Sequence, residues 1–275
     1  MSGTLYLVGT PIGNLRDITE RQLEILDSVS FIAAEDTRVT RKLLAHFDLH
    51  TALVSYHEHS PESVISQIVE RLLAGENCAC VTDAGMPCIS DPGAILVQRC
   101  IEENIAIQVV PGPSAVVSAL AISGQDTTRF CFEGFLSVTK KQRYSHLEAL
   151  KKEQRTMVFY EAPHKLLNTL KDMLDAFGDR SISICRELTK IHEEVRKTTL
   201  SEAVAYYEAN IPRGEFVLVL AGAKPDDADG QPPLEAVIAI ARERIEAGER
   251  ASDVCRSLAA ETGYPKRVLY QAVTQ

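Results

Sequence analysis

Two hydrophobic periods alternate along the first half of the chain. Short, nearly continuous apolar runs of strand type fall at residues 5–8, 31–34, 53–55, 78–81 and 105–110. Between them lie stretches whose apolar residues recur three and four positions apart, as Leu23, Leu26 and Val29 do after a capping Thr19. Further helices are predicted over 41–47, 61–73 and 113–122, which makes this half a βαβ sheet covered by helices on both faces. Residues 123–129, SGQDTTR, have turn composition and mark a domain boundary. Beyond it the pattern predicts strands over 129–134, 156–160, 181–185, 195–200 and 215–221, and helices over 140–150, 163–177 and 201–209. That second half reads as a mixed sheet with antiparallel strands at its edge. Residues 224–233, KPDDADGQPP, read as a linker, followed by an amphipathic helix over 234–247 and two more helices about a turn at Thr262 and Gly263. The organisation expected is therefore α/β, with domains at 1–123 and 124–223 and a helical extension at 234–275.

Two strand ends stand out from this alternation. VTDAGMPCISDPG (81–93) and VVPGPSA (109–115) each turn an apolar run into a Gly/Pro-rich loop that leads to a helix, the place where α/β sheets bind small molecules. Gly85 and Gly93 let a ligand lie against the backbone, while Pro87, Pro92, Pro111 and Pro113 stiffen the loops before binding. Asp83 and Asp91 bracket the first loop; a purely structural role for Asp91 is to cap the helix that Pro92 opens. Neither loop has the GxxxxGK[ST] or GxGxxG spacing of a phosphate cradle.

Size and composition narrow the class. The 275 residues, 45% hydrophobic and 24% charged, are those of an ordinary globular protein, and no apolar run approaches the ~18 residues of a membrane span. The N-terminus has no basic region ahead of its apolar run, so a cytoplasmic protein with no membrane partner is expected. Seven cysteines without a CxxC pair read as buried thiols in a reducing compartment, and the histidine pair His57 and His59 has no ligand-spaced cysteines beside it to make a zinc site. A formal charge of −9 argues against indiscriminate coating of nucleic acid, but not against a nucleic-acid substrate met by basic residues gathered on one face.

Polar residues collect at four further strand ends. AEDTR (34–38) places Glu35, Asp36 and Arg38 beside the ligand loops, where a carboxylate could take a proton and an arginine hold a phosphate; alternatively Asp36 caps the next helix. SYHEH (55–59) brings His57 and Glu58 to a strand end, FYEAPHK (159–165) does the same for Tyr160 and Glu161, and RELTKIHEE (186–194) packs Arg186 and Lys190 among carboxylates. The run Lys140, Lys141, Arg143 is either an exposed helix face or a track for a phosphate backbone. The last two helices outline a helix-turn-helix with Lys266 and Arg267 at the second helix, or else a packing or dimer element.

Taken together, VGTPIGNLRDIT, AEDTR, VTDAGMPCISDPG, VVPGPSA, FYEAPHK and RELTKIHEE strongly resemble the ribosomal small-subunit RNA methyltransferase I family of the tetrapyrrole-methylase-like class. The resemblance implies two α/β domains with a cofactor cleft between them, a homodimer, and methyl transfer from S-adenosylmethionine to the ribose 2′-hydroxyl of a cytidine in 16S rRNA of the small ribosomal subunit. It places Pro11, Asp83, Ala84, Gly85, Met86, Ile89, Ser114 and Ala115 against the cofactor, with Tyr160 and Glu161 closing it from the second domain. No metal is needed, because a sulfonium is already an excellent methyl donor and the protein has chiefly to align donor and hydroxyl. Asp36 is the first candidate for the base and Lys190 for a cation beside the developing alkoxide, with His57 and Glu58 as alternatives. Arg38, Lys140, Lys141, Arg143 and Arg186 are candidate RNA contacts. The rival expectations are methylation of a tetrapyrrole or a protein histidine derivative, or a non-catalytic RNA-binding assembly protein on the same fold.

Overall fold

The computed structural model describes residues 2–224 and 232–274, so most of the expected linker lies outside the described residues. Strands β1 (Thr4–Val8), β2 (Phe31–Ala34), β3 (Leu53–Ser55), β4 (Cys78–Val81) and β5 (Ala106–Val110) form an all-parallel sheet in the order β3-β2-β4-β1-β5. Every residue of β2 and β4 is buried, as the unbroken apolar runs FIAA and CACV require of central parallel strands. One set of alternate side chains, Leu5, Phe31, Ala33 and Cys80 among them, packs under α3 (Glu62–Leu73) and α4 (Ala94–Glu102) through Ile68, Leu72 and Leu96. The other set, including Val8, Ile32, Ala34 and Val81, meets Leu26 of α1 (Glu20–Ser28) and Leu44 of α2 (Thr37–His46). Both faces are therefore covered, as the sequence pattern predicts.

Helix boundaries follow capping chemistry. Thr19 caps α1 in a reciprocal box with Gln22, and Asp36 caps α2 by accepting from the Arg38 backbone N–H at 2.8 Å. Asp91 does not cap α4: Gly93 occupies that position, and no side chain bonds the first turn. The expected capping role for Asp91 is thus replaced by one that leaves its carboxylate elsewhere.

The second sheet runs β6 (Phe130–Phe135), β7 (Thr156–Glu161), β10 (Phe216–Leu220), β8 (Ser181–Arg186), β9 (Glu194–Thr199), in that spatial order. Only β6 and β7 are parallel; β10 inserts antiparallel between β7 and β8, so antiparallel pairing runs through the centre of the sheet rather than along its edge alone. The pentapeptide FVLVL of β10 is buried throughout, which suits a central strand. Helices α6 (Lys140–Leu150), α7 (Leu166–Phe177) and α8 (Leu200–Ala209) cover one face of this sheet. The other face is covered by α5 (Ala115–Ser123), whose Val116, Ala119 and Leu120 pack on Val158, Cys185, Val217 and Val219. A helix that leaves the first sheet thereby roofs the second. Helices α9 (Leu234–Glu246), α10 (Ala251–Thr262) and α11 (Lys266–Thr274) build a small core of their own around Val237, Val254, Leu258 and Leu269, with Gly263 in the left-handed conformation ending α10. Among the described residues no helix is long and apolar enough to cross a membrane.

The order of the first sheet puts β1 between β4 and β5, and the loops leaving these three strands nest backbone against backbone. Gly9 N–H donates to Val110 O at 3.1 Å, and Thr10 and Gly85 exchange backbone bonds of 2.9 and 3.1 Å. The Thr10 hydroxyl donates to Thr82 O, and the Gln22 amide to Gly9 O at 2.6 Å. A Cβ on Gly9 would stand 2.7 Å from Met86 Sδ and 2.8 Å from Gly112 Cα. Because backbone cannot step aside as a side chain can, Gly9→Ala should destabilise the protein by about 1–3 kcal/mol, measured as a lower urea midpoint at unchanged slope. A midpoint equal to that of the parent chain would show that the loops do not depend on this close approach.

Candidate active site

These nested loops form one wall of a cavity of about 560 Å³ between the two sheets. Asp83, Ala84, Gly85, Met86, Ile89, Ser114 and Ala115 line it from the first sheet, and Tyr160 and Glu161 from the second. Pro11 is not in the lining; its neighbour Ile12 takes that place. Leu188, just after β8, and Glu215, Phe216 and Val217 also line the far wall; the last three were not singled out from the sequence, because only the insertion of β10 between β7 and β8 brings them there.

The lining is acidic. Glu35, Asp83, Asp91, Glu161 and Glu215 all contribute carboxylates, and among the described lining residues there is no lysine or arginine. Not all of these groups are available. Glu161 accepts from the Ala162 backbone N–H at 2.8 Å and from the Thr169 hydroxyl at 2.5 Å, so it shapes the wall. Glu35 accepts from the Asp83 N–H at 3.2 Å while Asp83 accepts from the Asp36 N–H at 3.1 Å, a reciprocal tie between the ends of β2 and β4. Burial is the main force raising the pKa of each, partly offset by those backbone N–H bonds. For Asp91, burial first and then the charges of Glu35 and Asp83 push the pKa up to about 6. Tyr160, stacked edgewise on Phe132, is pushed to about 12 by burial and by Asp91.

The loop that carries Asp91 is strained. Cys88 and Ser90 sit at φ 71° and 63°, left-handed angles that a side chain disfavours by roughly 1–3 kcal/mol each. This zigzag, closed by the Cys88 N–H to Pro92 O bond, carries Ile89, Ser90 and Asp91 to the cavity. A second cavity of about 330 Å³ is lined in part by the same loop. Tyr56, His57 and Glu58 line it together with Ser90 and Asp91, which belong to both cavities.

Asp36 does not fit the role of base. Its carboxylate caps α2 and pairs with Arg38 at 2.6 Å, and the Arg38 side-chain and backbone bonds hold its pKa down to about 2. A carboxylate that acidic is a poor proton acceptor near neutrality. Lys190 lies at the rim, across the loop after β1, with Nζ 2.9 Å from both Glu187 and Glu215. Burial opposes its charge, but the two carboxylates outweigh burial and raise its pKa, so it stays protonated.

The family model described as Tetrapyrrole (Corrin/Porphyrin) Methylases matches residues 4–204. A ribosomal RNA small subunit methyltransferase I of Synechocystis sp. is 48% identical over 98% of this chain and 96% of its own length, and the enzyme of that name from Bacillus subtilis is 43% identical over 98% and 94%. This chain belongs to the ribosomal RNA small subunit methyltransferase I family of the tetrapyrrole methylases. The expected fold class follows as well. A cobalt precorrin-4 methyltransferase superposes with a TM-score of 0.58 at 20% identity, covering 78% of this chain and 94% of its own, and a diphthine synthase with 0.59 at 12%, covering 80% and 90%. At such identities these neighbours share the fold alone.

Membership in this family directs attention to the basic residues. Lys140 and Lys141 are exposed at the start of α6, with Lys140 Nζ 5.3 Å from the Tyr144 ring. Arg38 is also exposed, though paired. Arg186 is held by Glu194 and by the Arg213 carbonyl. Arg143 departs from the expected exposed track: its guanidinium is largely buried, 2.6 Å from Asp172 and bonded to the Ser137 and Val138 carbonyls. The same Asp172 accepts from the Tyr144 hydroxyl at 2.8 Å. Arg143→Ala should therefore lower stability by roughly 1–3 kcal/mol, read from denaturant unfolding, because it strands a charged acceptor. Little loss of stability would return Arg143 to the set of free cations.

Proposed function

We propose that this protein transfers a methyl group from S-adenosylmethionine to the ribose 2′-hydroxyl of a cytidine in 16S rRNA of the small ribosomal subunit. The observation that carries the reading is the acidic cavity between the sheets, in a chain whose relatives over nearly full length are named ribosomal RNA small subunit methyltransferase I. Carboxylates without lysine or arginine suit a ligand bearing a sulfonium and an ammonium, and they repel a phosphate. Asp83, Gly85, Met86 and Ile89 would hold it from the first sheet, and Tyr160 from the second. The first turn of α5 has no side-chain cap and begins at Ser114 on the cavity wall, a place for the ligand's own carboxylate. Bound S-adenosylmethionine supplies a methyl group already activated by its positive sulfur. The chain's own contribution is alignment within a dry cleft, an effect that can approach about 7–11 kcal/mol. Lys190, fixed by Glu187 and Glu215, would sit as a positive charge at the rim toward the RNA. Lys140, Lys141 and Arg38 would meet phosphates, and the chain would work as a homodimer in the cytoplasm.

Incubation of small subunits with the protein and S-adenosylmethionine should add one methyl to the ribose of a 16S cytidine, seen by mass mapping of rRNA nucleotides. Methylation of a porphyrinogen instead, or calorimetry showing no binding of S-adenosylmethionine, would overturn the reading. The double variant Lys140→Glu, Lys141→Glu should weaken RNA binding and flatten its salt dependence by about one unit of slope for each phosphate left without its lysine. An unchanged salt slope would remove this helix from the RNA-binding surface.

A further inference from the structure

We infer that the turn joining β8 to β9 is a nucleobase platform: Ile191 and His192 at its tip stack on bases of the RNA beside the target cytidine, while Arg213 on the adjoining loop holds a phosphate. This rests on the function proposed above and adds where the acceptor strand lies.

The turn takes its shape at a cost to the chain. Glu187 and Thr189 sit at φ 50° and 65°, left-handed angles that side chains disfavour, and the Thr189 hydroxyl oxygen is buried with no partner among the described residues. The turn is nevertheless stiff. The Thr189 N–H donates to the Glu193 carboxylate at 2.6 Å, the Lys190 N–H to Glu187 O at 3.0 Å, and the Glu193 N–H to Lys190 O at 3.1 Å. Lys190 also packs on the loop after β1, where a Cβ on Gly13 would stand 2.5 Å from its Cγ. What the turn presents is Ile191, 98% exposed, and His192, exposed and without a hydrogen bond or ion pair among the described residues. A strained backbone that holds an apolar side chain and an imidazole out in water marks a binding position rather than a packing one.

Charge and reach name the partner. The carboxylates here are already engaged: Glu187 by Lys190 and the Glu215 N–H, Glu193 by Thr189, Glu194 by Arg186 and Arg196, and Glu215 by Lys190. The loop at 210–215 abuts the turn, since a Cβ on Gly214 would lie 2.6 Å from Glu187 Cδ. On that loop Arg213 is exposed, and among the described residues its guanidinium has no partner. A free cation whose neighbouring anions are all occupied suits a phosphate, and an imidazole beside an apolar side chain suits the faces of bases. Leu188, on the wall of the larger cavity, precedes Ile191 by three residues, a span of at most about 10 Å. Stacked nucleotides follow one another at about 3.4 Å, so a ribose presented to a methyl donor in that cavity brings its neighbouring bases within reach of the tip.

The test begins with the parent chain on small subunits, where absence of any methyl transfer would count against the proposed function itself. Given transfer, Ile191→Ala combined with His192→Ala should raise KM for the subunits about 5- to 150-fold, as the loss of base stacking does. Affinity for S-adenosylmethionine and the urea midpoint should not fall, because both side chains stand in solvent. Stacking releases no counterion, so the loss should be equal at low and high salt, whereas Arg213→Ala should lower the salt slope by about one unit. Ile191→Ala combined with His192→Phe, which returns a ring, should recover most of the loss. A benzophenone amino acid in place of Ile191 should cross-link under light to 16S rRNA near the methylated cytidine. An unchanged KM, a loss that varies with salt, no recovery with phenylalanine, or cross-links to a ribosomal protein or a second copy of this chain would overturn the platform and leave the proposed function standing.

Discussion

The close approach of three loops at the carboxyl ends of β1, β4 and β5 is the constraint on which the rest of the site depends. Gly9 and Gly112 meet backbone to backbone, Thr10 bridges to Gly85, and the Gln22 amide locks the assembly from α1. Only residues without a Cβ permit that spacing, and only a strand order with β1 in the middle brings the three loops together. Once they are joined, the carbonyls and N–H groups of three strand ends are fixed before any ligand arrives. The ordering cost is then met on folding rather than on binding.

Electrostatics divide the surface in a way that the net charge of −9 conceals. The described residues of the cavity gather carboxylates and include no lysine or arginine, and burial together raises the pKa of Glu35, Asp83 and Asp91. The cations stand outside, exposed on α6 or paired at the rim as Lys190 is. An acidic interior selects a cationic donor, and an exterior with isolated lysines can still address a polyanion. The two ligands need not compete for one field, because the Debye length in physiological salt, about 8 Å, is shorter than a domain.

What the sequence discloses depends on how local its cause is. The buried runs FIAA and CACV, the capping Thr19 and the Gly/Pro loops at 81–93 and 109–115 carry their own signals, and the structure places strands, cap and cavity wall there. The insertion of β10 between β7 and β8 depends on partners up to 63 residues away, Leu220 beside Met157, so the sequence pattern left antiparallel pairing at the edge. Arg143 reads as a surface cation until Asp172, 29 residues on and on another helix, comes to face it. Asp36 carries both a capping and a chemical reading, and geometry favours the first. Asp91 reads as a bracket of the ligand loop or a helix cap, and only the left-handed Cys88 and Ser90, positions at which no glycine advertises the turn, place it on the cavity wall and not at the cap.

Helix α5 sets how far the cleft can open. Its first residues stand beside Ser114 on the cavity wall, at the end of a loop belonging to the first sheet, while its body is the cover of the second sheet through Val116, Ala119 and Leu120. The Ser123 carbonyl at its far end accepts from the Ser183 hydroxyl of β8 at 2.8 Å. A hinge between the sheets would have to break this packing or bend a helix with no proline or glycine inside it. The two walls of the cavity are thus coupled by buried apolar contact. Changes on ligand binding should therefore fall to side chains and to the strained loop at 88–91, whose Ser90 and Asp91 line both cavities.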